Sequence, residues 1–136
     1  MIELKEMLIR HEGLKLKPYR DTVGKLSIGI GRNLDDVGIS REEAFVLLDN
    51  DVARAVAESR RRLAWFDQLD AVRQMVVIDM VFNLGIVGFC KFERMIAALE
   101  QGDWQLAAVH MLDSKWSEQV GGRATELAQM MRTGTI

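Results

Sequence analysis

Residues 12–34 read EGLKLKPYRDTVGKLSIGIGRNL, and the change of hydrophobic period inside this stretch decides the fold class. Just before it, residues 2–12 repeat at helical spacing: Leu4, Met7, Leu8 and His11 share one face, and Gly13 supplies a left-handed stop. From Leu14 the period drops to two. Leu16 and Pro18 alternate with Lys15, Lys17 and Tyr19, and after Val23-Gly24 a second alternation runs through Leu26, Ile28 and Ile30. The spacing predicts two short strands joined by a tight turn around residues 20–25. Pro18 has no amide to give a ladder and fits an edge strand, so the sheet must be small. Gly29 and Gly31 predict a bend, or a place where something approaches the backbone closely. Residues 35–38, DDVG, read as a turn.

Outward from this hairpin the chain is helical. Ser40-Arg41-Glu42-Glu43 has the form of a capping box, opening a long helix to about residue 62 with Ala44, Leu47, Leu48, Val52, Ala55 and Val56 as its apolar stripe. Asp67 or Asp70 caps the next helix, whose apolar run from Val72 to Leu84 predicts the buried centre of a bundle. Further helices are predicted around 91–100 and 103–112, and a last one after Gly121-Gly122 to about 132. The expected class is α+β, mainly α. It is a single domain over 1–136, with a hairpin lobe at about 13–39, a linking helix at about 40–62, and a helical lobe from about 63–136 plus the helix 2–12.

Composition narrows the function. With 49% hydrophobic and 28% charged residues, the 136-residue chain can build an ordinary globular core. A formal net charge of −2 argues against nucleic acid as a partner, since phosphate neutralisation needs a cationic excess. The run 60-RRR-62 reads as a solvated helix C-terminus. Cys90 is alone, in the apolar setting GFCKF, and neither His11 nor His110 has a metal-ligand spacing; no metal and no cofactor are expected. Charges near the N-terminus leave no secretory signal, and Asp79 and Asn83 break the apolar run 75–89, so membrane insertion is not expected.

Glu12, Asp21 and Ser27 lie within sixteen residues. Glu12 falls at a helix C-terminus, where the dipole disfavours a negative charge, an odd place for a purely structural glutamate. Hydrolysis of a glycosidic bond needs one carboxyl to protonate the leaving oxygen and a second opposite it. Glu12 suits the first task if burial and the dipole keep it protonated. Asp21, in a hydrated turn, suits activation of a water, which the Ser27 hydroxyl can hold. On spacing alone the plainer alternative is preferred: a capped helix followed by a solvated turn, with Asp21 there for its turn chemistry.

The pattern E-G-L-x-L-x-x-Y-x-D-x-x-G-x-x-x-I-G-I-G resembles the signature of the phage-type lysozymes, the endolysins of glycoside hydrolase family 24. Similarity continues in 51-DVARAV-56, 69-LDAVRQMVVIDMVFNLG-85, 114-SKW-116, 123-RA-124 and 132-RTGT-135. The resemblance implies a lysozyme-like fold, with a cleft between the two lobes and a long helix joining them. It implies a muramidase that hydrolyses the β-1,4 bond between N-acetylmuramic acid and N-acetylglucosamine of peptidoglycan with inversion, without cofactor or metal, leading to bacterial cell lysis. Residue by residue, it makes Glu12 the general acid and Asp21 the base for water. Ser27 stands where the family usually has threonine. Arg32 stands where histidine is frequent, and is expected to pair with Asp51. Arg123, Asn83 and Trp116 are its candidate substrate contacts, Trp116 either stacking on a sugar or filling the core.

The expected partner is the peptidoglycan glycan strand, met by a monomer. Lacking a signal, the enzyme would be made in the host cytoplasm and reach the wall through a holin-like membrane lesion. A lytic transglycosylase is the neighbouring alternative, disfavoured by Asp21; a non-catalytic peptidoglycan-binding module is the other.

Overall fold

The helix α1 spans Ile2–Glu12 and ends where Gly13, at φ 76°, turns the chain and returns its amide to the Ile9 carbonyl at 2.8 Å. In the computed structural model, which describes residues 1–136, three short strands follow: β1 (Lys15–Arg20), β2 (Leu26–Gly29) and β3 (Arg32–Asn33). They form one antiparallel sheet in the order β1-β2-β3. Tyr19 pairs with Ser27 and Arg20 with Leu26, and the register shifts between Lys15 and Tyr19, the stretch that holds Pro18. An edge strand tolerates a residue without an amide there. The third strand was not legible as an alternation because it has two residues. It forms because Gly29 and Gly31, at φ 71° and 67°, reverse the chain tightly enough for Ile28 to pair with Arg32.

The long helix α2 (Arg41–Arg62) begins with the capping box the sequence predicts. Ser40 Oγ accepts the Glu43 amide at 3.0 Å, and Glu43 Oε1 accepts the Ser40 amide at 2.8 Å. The same Glu43 oxygen receives Arg32 Nη1 at 2.8 Å, while Arg32 also donates to the Gly38 carbonyl at 3.1 Å. Arg32 therefore pairs with Glu43 and not with Asp51, which is bound by Arg54 at 2.6 Å one turn along the same helix. The capping box turns Glu43 back toward the helix start, which brings its carboxylate within Arg32's reach. Arg32 and the Ser40 amide together hold the Glu43 carboxyl down to about 2.

The chain divides into two compact units, Met1–Leu47 and Leu48–Ile136, the boundary falling within α2. In the first unit Ser27 is buried, no residue of α1 is, and the apolar stripe predicted for α2 leaves Leu47 half-exposed. A unit this small has too little volume to cover its own apolar positions.

The second unit holds the core. A 3₁₀ turn at Phe66–Gln68 precedes α3 (Ala71–Cys90), α4 (Glu93–Glu100), α5 (Trp104–Leu112), α6 (Lys115–Val120) and α7 (Gly122–Thr133). Asp70, not Asp67, caps α3 by accepting the Arg73 amide at 2.9 Å; Asp67 instead meets Arg60 at 3.0 Å. Val76, Val77, Met80 and Val81 of α3 are buried with Phe66, Phe89, Met95, Met111 and Met131. Alanines 107, 108, 124 and 128 let α5 and α7 approach closely. α3 continues past Leu84 because Gly85 absorbs a kink at φ 75°, ψ 160°. By length and composition its 20 residues are apolar enough to cross a membrane, as a core helix can be; Gly85 interrupts the helix, and Val76, Val77, Met80 and Val81 pack in the core. Asp79 and Asn83 interrupt the apolar run without ending the helix.

One cation lies in this core. Arg73 is 9% exposed; its Nε donates to the Met131 carbonyl at 2.8 Å and its Nη2 to the Arg132 carbonyl at 3.1 Å. Nη1 meets Asp70 at 2.7 Å, and the guanidinium lies 4.3 Å from the Trp104 ring centroid. It thus caps the C-terminal end of α7, where carbonyls lack helical partners.

Candidate active site

Asp21 sits at the head of the β1–β2 turn and builds it. Its Oδ1 accepts two amides, Val23 at 3.0 Å and Lys25 at 2.8 Å, while its own amide donates to the Lys25 carbonyl at 2.9 Å. This is the turn chemistry that aspartate side chains favour. Oδ2 has no protein partner, so one carboxylate oxygen is fixed by the turn and the other is left to act outward. Ser27, 3% exposed at the centre of the sheet, donates to the Lys25 carbonyl at 3.3 Å. One residue, Lys25, therefore links Asp21 through its amide to Ser27 through its carbonyl.

Glu12 is the last residue of α1 and is exposed, with no hydrogen bond or ion pair. The burial expected for it is not supplied by its own unit. Its carboxyl lies against Gly31: a Cβ placed on that glycine would fall 2.8 Å from both Cδ and Oε2 of Glu12. The close backbone approach expected near Gly29 and Gly31 is thus made by the candidate acid itself. The Asp35-Asp36 turn ties the sheet together. Asp35 accepts the Leu26 amide at 2.8 Å, and Lys25 Nζ meets Asp36 at 3.1 Å, which with Asn33 holds the Asp36 carboxyl below its ordinary range.

The three candidates of the second unit are engaged with one another or with α3. Trp116 Nε1 donates to Asn83 Oδ1 at 2.7 Å, and the ring, 4% exposed, stands edge-on to Phe92 with centroids 6.0 Å apart. Trp116 is therefore packed into the core, with only 4% of its surface exposed. Asn83 is exposed, and its Nδ2 remains free to donate. Arg123 Nε donates to Asp79 Oδ1 at 2.8 Å, and Nη2 reaches the same oxygen at 2.8 Å. Asp79, the partner that holds Arg123, was not singled out in the sequence as such; its only signal is a lone carboxylate in an otherwise apolar helix. A cavity of about 780 Å³ opens in this unit, with Phe92, Arg94, His110, Ser114, Lys115 and Trp116 among its lining residues. Glu12, Asp21 and Ser27 do not line it. No three His, Cys, Asp or Glu side chains gather in an arrangement that holds a metal ion.

A mainly helical α+β fold with one carboxylate at the end of its first helix and a second in the adjoining hairpin turn is that expected of a lysozyme-type hydrolase. The sequence profile described as Phage lysozyme matches residues 9–132, and the chain belongs to that family. It is 31% identical to the pre-baseplate central spike protein Gp5 of Enterobacteria phage T4, with 99% of this chain aligned but only 28% of the spike protein's length. Probable T4-type lysozyme 1 of Dictyostelium discoideum is 29% identical, over 98% of this chain and 95% of that protein. An endolysin of Acyrthosiphon pisum secondary endosymbiont phage 1 is 29% identical, over 93% and 86%. The first two alignments run to 163 and 162 residues against a chain of 136, so those relatives carry segments that this chain lacks. Family membership makes the chain a muramidase-class enzyme, a hydrolase of peptidoglycan.

Proposed function

We propose that the chain cleaves the β-1,4 bond between N-acetylmuramic acid and N-acetylglucosamine by single displacement, with inversion at the anomeric carbon. Glu12 donates the proton to the leaving oxygen, and Asp21 takes a proton from the attacking water. The division of labour at Asp21 carries the reading. Two amides fix Oδ1 in place, so Oδ2 is a positioned acceptor that need not reorganise during the reaction. Ser27, joined to Asp21 through Lys25, contributes a hydroxyl whose lone pairs can accept from the same water. Glu12 meets the other requirement in position, a carboxyl free of ion pairs at the end of α1.

In the second unit, Asn83 Nδ2 is suited to a sugar carbonyl, and Arg123, oriented by Asp79, supplies a cation for the substrate. Trp116 acts by holding Asn83, and a direct sugar contact would need its ring to move out of the core. The partner is the glycan strand, met by a monomeric enzyme. Synthesis in the host cytoplasm, access through a holin-like lesion and lysis of the cell complete the proposal.

The test is clearing of chloroform-treated Gram-negative cells by the parent and by Glu12→Gln at equal folded concentration. The parent is expected to clear the suspension, and the variant to lose at least about 100-fold in rate. Equal clearing would remove Glu12 as the acid. Anhydro-muramic ends among the products would show a transglycosylase instead.

A further inference from the structure

We propose that Gly31 is a positioning residue for the proton donor: because it lacks a Cβ, it leaves the space in which the Glu12 carboxyl lies. The proposal rests on the reading of Glu12 as the acid. A Cβ built on Gly31 would stand 2.8 Å from Cδ, 2.8 Å from Oε2 and 3.0 Å from Cγ of Glu12. These separations are too short for non-bonded carbon or oxygen, so one partner must move. The backbone at residue 31 is fixed by the adjoining β2–β3 pairing, whereas the Glu12 side chain is exposed and tied by no hydrogen bond or ion pair. An added methyl therefore displaces the carboxyl and spares the sheet.

Gly29 provides the comparison that separates this effect from backbone strain. Its φ is 71° against 67° at Gly31, so a side chain is strained at either position, yet nothing lies within 4 Å of the Cβ site at residue 29. The two glycines flank Ile30 in one turn and differ in what faces them. A glycine kept for conformation alone would make both positions equally sensitive; a glycine kept for the acid makes residue 31 the critical one.

The experiment measures kcat and KM on purified peptidoglycan for the parent, Gly29→Ala, Gly31→Ala, Gly31→Asn, Glu12→Gln and Gly31→Ala/Glu12→Gln, each at equal folded concentration. Gly31→Asn guards against a folding failure, because asparagine tolerates the left-handed backbone while adding the same Cβ. Gly31→Ala and Gly31→Asn are expected to lose about 100-fold in kcat with KM unchanged, the effect of a misplaced catalytic group. Gly29→Ala is expected to stay close to the parent. Adding Gly31→Ala to Glu12→Gln should bring no further loss, because no acid is left to displace.

The proposal is overturned if Gly31→Ala keeps the parental kcat, if Gly29→Ala falls as far, or if the Gly31→Ala loss persists in full on top of Glu12→Gln. A parental rate in Glu12→Gln alone would instead remove the acid assignment, and the proposal with it.

Discussion

Asp21→Asn separates the two tasks given to Asp21, building the turn and activating water. Asparagine keeps an Oδ1 that can accept the Val23 and Lys25 amides at 3.0 and 2.8 Å, and it replaces the unpaired Oδ2 with an amide group. A hydrogen bond to an ionised acceptor contributes about 1.5–3 kcal/mol, and one to a neutral acceptor about 0.5–1.5 kcal/mol. Asp21 is partly exposed, so the lower ends of both ranges apply. With two such bonds, the expected loss of stability is about 2 kcal/mol for Asp21→Asn, and about 3 kcal/mol for Asp21→Ala, which removes the oxygen that accepts both. Urea unfolding followed by circular dichroism resolves these values. The catalytic effect runs the other way in size: losing the base should lower the clearing rate by about 10²–10⁴-fold in both variants. If Asp21→Asn keeps more than about a tenth of the parental rate, Asp21 is a turn residue and the base is elsewhere. If it unfolds as easily as Asp21→Ala, the Oδ1 contacts are not what holds the turn.

Three further outcomes follow from contacts elsewhere. Arg73→Met strips the C-terminal carbonyls of α7 of their cation and leaves Asp70 unpaired; since Asp70 is half-exposed, the loss should be about 3 kcal/mol, read as a lowered urea midpoint with unchanged slope. Asn83→Ala orphans the indole N–H of a ring only 4% exposed, so it should cost about 1–3 kcal/mol, and less in a Trp116→Phe background, where no N–H remains to satisfy. The Glu43 carboxyl is held at about 2 against an ordinary 4.5, chiefly by Arg32. Its folded value is depressed, so its contribution is complete above pH 4.5 and is lost as pH falls toward 2. The gap in thermal midpoint between the parent and Glu43→Gln should therefore close over that window, and a gap independent of pH there would refute the pairing.

The parts of the fold legible in the sequence are those set by local chemistry. Ser40 and Glu43 form the capping box because its geometry needs only four consecutive residues. The period change at Gly13 marks the end of α1 and the start of the sheet, and Pro18 marks its edge. Residues whose partners are set by tertiary structure were not legible. Arg32 could have met any nearby carboxylate, and the turn of Glu43 toward the helix start decided it. β3 has no pattern of its own; it exists because two glycines reverse the chain. The site follows the same division. Asp21 in a turn was readable, and so was a close approach at Gly29 or Gly31, but not that Glu12 makes it. Asn83 and Trp116 were each read as candidate substrate contacts, and no spacing rule reveals that they hydrogen-bond one another across 33 residues.

The most direct test of the two-carboxylate account is the configuration of the reducing end at the moment it forms, followed by proton NMR on a peptidoglycan fragment before mutarotation. Single displacement by a water held on Asp21 inverts the anomeric carbon, so the α-anomer must appear first and equilibrate later. A first-formed β-anomer would mean retention, with a carboxylate or the substrate itself as nucleophile, and would contradict Asp21 as a base.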